Sequence, residues 1–467
     1  MKELISYGSK IFENIFILLA LSRQMCYYHT IESLKKHCQL KRLRLKEAEK
    51  MAELAISGGS KARTREFFAW PDYDGRELEY VEEVIKSRVW FAGMRGADPG
   101  TKTEEFERKF AQYHDTAYGI ACANGTVAIE VALRAAEVGV GDEVIVPALT
   151  FIATLSAVLQ VNAIPIIVDT IYDTQCIDPD EIEKAVTDKT KAIIPVHYGG
   201  FGCDMDTITD IARRHNLIVI EDAAHAHGAV YKGKKIGSLG DIATFSFQES
   251  KTMTAGEGGI VITNNDELAE KCIQYRSCGR HKGESWYVHY VMPVNYRLSE
   301  IQSAMLLAQL ERLDDQLKTK NENAHYLAGK FKDIDGINPV PGDGNTDVNG
   351  LYLYLLQYDK EKFAGVSRDK FVEALNAEGV PSHIGYPWPL SKNPMFQRVK
   401  EGAKGCPFTC PYYGKKISIK DQNFPVTEKI CSETVVIPHQ ILLSSRSDMD
   451  DIVAAITKIK ENAGELL

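Results

Sequence analysis

The stretch SFQESKTMTAGEGG (246–259) takes up the tail of one apolar run, IATFSF (242–247), and leads into another, GIVIT (259–263). It carries a single cation, Lys251, surrounded by hydroxyl side chains and three glycines. A lysine between two such runs can pair with an anion, reach water, or be kept uncharged for chemistry. A surface-loop lysine is the plain alternative. Against it, the adjacent GEGG (256–259) lets the backbone come close to something bulky. A lysine held beside an aldehyde has a depressed pKa and forms an imine with it.

The two runs close a longer series. Strand-like segments recur at AYGIACA (117–123), EVIVPA (143–148), IPIIVD (164–169), KAIIPVH (191–197) and LIVIED (217–222). Most are continuously apolar rather than alternating, which predicts strands covered on both faces. Helix-length segments such as TVAIEVALRAAEVG (126–139) and DMDTITDIARRHN (204–216) lie between them. This rhythm predicts an α/β domain with a mostly parallel sheet between helices. Ligands of such sheets sit at the carboxyl ends of the strands. The segment 297–331 reads as one long amphipathic helix. Beyond it, LYLYLLQY (351–358), DKFVEALNAEG (369–379) and DMDDIVAAITKIKENA (448–463) give shorter signals. The expected organisation is an extension over 1–50, a large α/β domain over 51–305 and a smaller α+β domain over 306–467.

The chain has 467 residues, 44% of them apolar and 25% charged, as in ordinary globular proteins. A net charge of −9 argues against a general nucleic-acid or membrane-surface role. Ten scattered cysteines are too dilute for a disulfide scaffold and predict reduced thiols in a cytoplasmic protein. Cys406 and Cys410, in CPFTCP, form half of a zinc pattern without a second pair at usable spacing, so loop thiols are the expectation. Near the N-terminus, IFILLAL (15–21) is too short to span a bilayer. The dipeptide Lys46-Glu47 can be encoded AAG GAG, a bacterial ribosome-binding sequence just upstream of Met51. The expectation is a natural start at Met51, so that residues 1–50 are not native. The alternative is a helical extension whose Leu40 and Leu43 pack on a partner.

Candidate chemistry clusters at strand ends. Asn124, Gly125 and Thr126 follow the first strand-like run and open a helix, where free amides and a hydroxyl suit a phosphate; an ordinary N-cap is the alternative. Asp222 ends LIVIED, as a paired structural charge or a functional carboxylate. His225 and His227 follow in DAAHAHG; residues two apart share a face in extended chain, but no further metal-site pattern accompanies them. Ser246 and Lys251 complete the set, and Phe151, after VPALT, can supply an aromatic face. A phosphate cradle, a carboxylate for a ring nitrogen, an aromatic face and an imine-forming lysine together describe a pyridoxal phosphate site.

From about residue 65 onward the chain resembles the DegT/DnrJ/EryC1/StrS family of sugar aminotransferases, of fold type I. The matching pieces run in order: NGTVAIEVAL, GDEVIVPALTFIAT, PVHYGG, IEDAAHAHGA, GSLGDIATFSFQESKTMTAGEGG and NYRLSEIQSAMLLAQL. DAAHAHG, SFQ before the lysine, and RSCGR (276–280) are similar to glutamine-dependent scyllo-inosose aminotransferases and to 3-amino-5-hydroxybenzoate synthases. The resemblance implies a seven-stranded sheet and pyridoxal 5'-phosphate bound to Lys251 as an imine. Asp222 would pair with the pyridine nitrogen, His225 would pack beside the ring and Phe151 would stack on it. Gly125, Thr126 and Ser246 would hold the phosphate. Asn295 would reach the phosphate of a neighbouring subunit, implying a homodimer with shared sites. Glutamine or glutamate would donate the amino group to a keto-sugar or keto-cyclitol. A cofactor-binding regulator without catalysis is the rival from another class, opposed by the retained lysine and aspartate. Arg95, Arg276 and Arg280 are given no role.

Overall fold

Neighbouring residues of each run in the large domain face different cores. Val144 and Val146 pack into one apolar cluster and Ile145 into another; Ile260 and Ile262 oppose Val261 in the same way. Side chains alternate sides along a strand, so a continuous apolar run is what a sheet between two helical layers requires. The computed structural model describes residues 53–91, 100–281, 285, 287–292, 294–398 and 407–467. The extension over 1–50, the proposed start at Met51, Arg95 and Cys406 lie outside these residues.

The seven runs form the strands β1 (Tyr118–Cys122), β2 (Glu143–Pro147), β3 (Ile164–Val168), β4 (Thr190–Ile193), β5 (Ile218–Asp222), β8 (Ile242–Ser246) and β9 (Gly259–Thr263). The short strands β6 (Val230–Tyr231) and β7 (Lys234–Lys235) stand apart. The main sheet has the order β1-β9-β8-β5-β4-β2-β3. Only β9 runs against the others: it is antiparallel to β8 and β1, and the remaining pairings are parallel. The carboxyl ends of β1, β2, β5 and β8 therefore lie along one edge. This is the α/β arrangement expected from the sequence.

The C-terminal part adds β10 (Ile337–Pro339), β12 (Leu353–Tyr358) and β13 (Thr434–Pro438) as an antiparallel sheet. Its apolar cluster joins β12 and β13 to the helices Leu313–Phe331, Arg368–Ala377 and Arg446–Glu461. Leu54 packs into the same cluster. Arg63 donates to Asp448 and Asp451, at 2.7 Å each. The first described residues are thus fastened to the C-terminal unit. A further strand, β11 (Thr346–Val348), pairs with β6 and links the two units through main-chain bonds.

The segment read as one long helix is two, Glu300–Leu310 and Leu313–Phe331. The break falls at Arg312, whose φ of −112° and ψ of 1° leave the helical region. There the guanidinium donates to the carbonyl of Asp72 at 2.9 Å and contacts Glu77. Buried charged hydrogen bonds thus outweigh the continuity that periodicity alone suggested. Among the described residues no helix is long and apolar enough to cross a membrane.

Candidate active site

The helix Gly125–Ala135 begins directly beyond β1, and its first turn is held by Asn124. The Asn124 side chain accepts from the Val127 amide at 3.0 Å, and its carbonyl accepts from the Ala128 amide at 3.1 Å. The earlier amides, of Gly125 and Thr126, have no acceptor within the helix. Both residues line a cavity of about 640 Å³ at the strand ends. A Cβ added at Gly125 would lie 2.7 Å from the Cβ of Ser246, so only glycine lets this helix start abut the end of β8. The Ser246 Oγ accepts weakly from the Gln248 amide at 3.4 Å, leaving its own hydrogen to donate. Amides and hydroxyls at a helix N-terminus whose first turn holds no acidic side chain suit a phosphate dianion.

Asp222, the last residue of β5, is 4% exposed and lines the same cavity. One carboxylate oxygen accepts from Thr154 Oγ1 at 2.8 Å and the other from the Ala224 amide at 3.3 Å. Thr150 lies 2.9 Å from Thr154, oxygen to oxygen, and extends the chain of hydroxyls. Burial pushes the Asp222 pKa above its usual value, while Thr154, Ala224 and the charge of Lys251 pull it back. A carboxylate in this position favours a cationic N–H partner.

Phe151 stands at the N-terminus of the helix Ile152–Gln160 and lines the cavity, yet it is 56% exposed. His225 is buried, and its Nδ1 accepts from the Gly199 amide at 3.3 Å. Burial, then the charge of Lys251, holds its pKa well below 6.5. The ring is therefore neutral, and its single hydrogen is on Nε2. Burial pushes the Lys251 pKa down to about 7 against the opposing pull of Asp222. Its Nζ sits 4.0 Å from the centroid of the Tyr352 ring, and that ring lies 4.3 Å from His225. The lysine, part-buried, thus rests on an aromatic face with its amine shifted toward the neutral form.

Gly125, Thr126, Phe151, Asp222, His225, Ser246 and Lys251 therefore share one cavity. Asn295 is not among its lining residues; it is exposed and pairs across to Ser277. His227 also lies elsewhere, against Phe245 and Phe247 at 5.4 and 5.6 Å, because a turn follows β5 and breaks the extended geometry. Arg276 is buried and donates to the Ala121 carbonyl at 3.2 Å while pairing with Glu107. Cys410 is buried with Ile164 and Tyr413. Among the described residues no three His, Cys, Asp or Glu side chains are grouped to hold a metal ion.

Thr154, Tyr352 and Tyr386 also line the cavity and were not picked out from the sequence. Thr154 had a signal: on a helix, three residues beyond Phe151, it shares that residue's face. The tyrosines had none, since they come from the C-terminal unit and meet the site only through the tertiary fold. A helix start with free amides, a buried carboxylate, aromatic rings and a lysine of lowered pKa in one cavity have the donor set that pyridoxal phosphate needs.

The model of the DegT/DnrJ/EryC1/StrS aminotransferase family matches residues 71–420. The L-glutamine:2-deoxy-scyllo-inosose aminotransferase of Streptoalloteichus tenebrarius is 36% identical over 430 residues, covering 88% of this chain and 99% of that protein. The enzyme of the same name from Streptomyces fradiae is 36% identical over 430 residues, covering 89% and 99%. The crystal structure of 3-amino-5-hydroxybenzoic acid synthase aligns with a TM-score of 0.76 and 34% identity, over 86% of this chain and 100% of that one. The chain belongs to the DegT/DnrJ/EryC1/StrS aminotransferase family and is a pyridoxal-phosphate-dependent transaminase of fold type I.

Proposed function

We propose that this aminotransferase takes the amino group of glutamine and places it on a keto-cyclitol of the scyllo-inosose type. The observation that carries the reading is Lys251, held near neutrality in the cavity that also contains Asp222 and the Gly125 helix start. The names of the inosose aminotransferases support the donor and acceptor. The likeness to 3-amino-5-hydroxybenzoic acid synthase favours a second acceptor class, a ring precursor of an aromatic amine.

When bound, pyridoxal phosphate supplies an aldehyde that exchanges amines and a ring that accepts an electron pair from the α-carbon. The amides of Gly125 and Thr126 and the Ser246 hydroxyl would hold the phosphate. Asp222, steadied by Thr154, would keep a proton on the ring nitrogen. Phe151 would stack on the ring and His225 would pack beside it. Lys251 would hold the resting cofactor as an imine and, once displaced, its Nζ would take the proton from the donor's α-carbon. In the second half, the same nitrogen would deliver a proton to the former keto carbon of the acceptor. Asn295 would complete the phosphate site of a second subunit, making the active form a homodimer with shared sites. The reading keeps the bounds 51–305 and 306–467 for the large and smaller domains, except that Leu54 and Arg63 belong with the smaller one.

The test is a stepwise reaction. Holoenzyme mixed with glutamine alone should lose its aldehyde-form absorbance and release the keto acid. Addition of scyllo-inosose or 2-deoxy-scyllo-inosose should restore the spectrum and yield the amine. A half-reaction with glutamate but not glutamine would overturn the donor. Recovery with keto-sugar nucleotides and no inosose would overturn the acceptor.

A further inference from the structure

The loop that carries Lys251 satisfies its own amides. Phe247 donates to Gly258 at 2.8 Å, Glu249 to Gly256 at 2.9 Å and Lys251 to Gln248 at 2.8 Å. Two consecutive carbonyls just before the lysine turn outward instead. The Glu249 carbonyl accepts from the indole Nε1 of Trp70 at 2.8 Å. The Ser250 carbonyl is 3.1 Å from Nε2 of His439. Trp70 and His439 pack edge to face, with centroids 4.6 Å apart. Trp70 precedes the helix Arg76–Ser87, whereas His439 directly follows β13 in the C-terminal unit. Segments more than 350 residues apart thus close on one dipeptide.

The chemistry fixes the state of His439. It is 2% exposed, and burial, followed by the charge of Lys320, holds its pKa well below 6.5, so the ring is neutral. A carbonyl only accepts, so the one hydrogen of that ring is on Nε2. Nδ1 is then a bare lone pair, and it has no partner among the described residues. The Tyr352 hydroxyl, 2.9 Å from Ser250 Oγ, braces the same residue while its ring supports the lysine Nζ.

We infer that His439 and Trp70 are positioning residues that latch the Glu249–Ser250 peptide and so fix where the Lys251 amine stands during proton transfer. This deepens the proposed reaction and rests on Lys251 as the imine lysine. Neither side chain lines the cavity, so each acts through the loop rather than on substrate or cofactor. Displacing a reacting group by about 1 Å can slow a reaction about a hundredfold, so a latch on the peptide just before it affects rate more than cofactor retention.

The test uses holoenzyme of the wild type and of His439→Leu, His439→Gln and Trp70→Phe. Borohydride reduction and peptide mapping first establish the tagged residue, then the visible absorbance is titrated with pH and the glutamine half-reaction is timed. His439→Leu should slow the half-reaction about tenfold and move the titration midpoint by roughly half a unit or more, with the tag still on Lys251. His439→Gln, whose amide can donate to the same carbonyl, should recover to within about threefold of wild type. Trp70→Phe should slow the half-reaction while retaining the ring packing. Wild-type rates and midpoints in all variants would overturn the latch, as would equal impairment by Leu and Gln. If His439→Leu does not fold, Trp70→Phe decides alone, because its residue is only part-buried. A wild-type tag on another residue would instead overturn the functional reading beneath it.

Discussion

Burial, not a neighbouring cation, is what brings Lys251 to about 7; Asp222 resists it. The neutral amine is the form that condenses with an aldehyde, so imine formation on adding pyridoxal phosphate to the apoprotein should gain rate as pH rises through about 7 and lose it below, as measured by stopped-flow absorbance. The linkage to stability has the same sign. The folded pKa lies below the ordinary 10.5, so the unfolded chain binds more protons between those values and apo stability rises with pH across that window. Lys251→Ala should lower turnover on the order of a thousandfold or more while the cofactor still binds. Thr154→Val would leave one oxygen of Asp222 without its hydroxyl partner. The loss of about 1.5 kcal/mol in that bond should slow the half-reaction roughly tenfold, with the protein still folded by circular dichroism.

Two elements, a helix start and a strand start, build the end of the cavity proposed to take the phosphate. Asn124 caps the helix Gly125–Ala135, and Asn124→Ala should cost about 1 kcal/mol in urea unfolding and weaken cofactor binding. Gly259 opens β9 against the same turn, where a Cβ would lie 2.4 Å from the Asn124 carbonyl oxygen. Gly259→Ala should therefore push the two apart, lowering stability by roughly 1–3 kcal/mol and raising the Kd for pyridoxal phosphate. Much of this was legible in the sequence. The seven apolar runs are the seven strands, because a strand buried on both faces has no choice of composition. Gly125, Asp222, Ser246 and Lys251 were legible because parallel topology puts strand ends on one edge. The break at Arg312 was not, since its cause is Glu77 and Asp72, more than 230 residues away. The contact of His439 with Ser250 spans 189 positions and was hidden for the same reason.

At the scale of the whole molecule, the first described residues and the C-terminal helices form one body, tied by Arg63 to Asp448 and Asp451. From that side Tyr352, Tyr386 and His439 reach the lysine loop and the cavity beside it. Phe151, 56% exposed within its own cavity, and Asn295, exposed and outside it, fit a site completed by a second copy. Sedimentation should show a dimer, and Asn295→Ala should weaken cofactor binding without moving the covalent attachment from Lys251. A monomer retaining full activity would contradict the shared site. The central claim is that Lys251 is joined covalently to the cofactor. Borohydride reduction of the holoenzyme, followed by peptide mass mapping, should give one pyridoxyl-modified peptide containing residues 248–255, with the modification on Lys251. No modified peptide, or modification of a different lysine, would contradict the account.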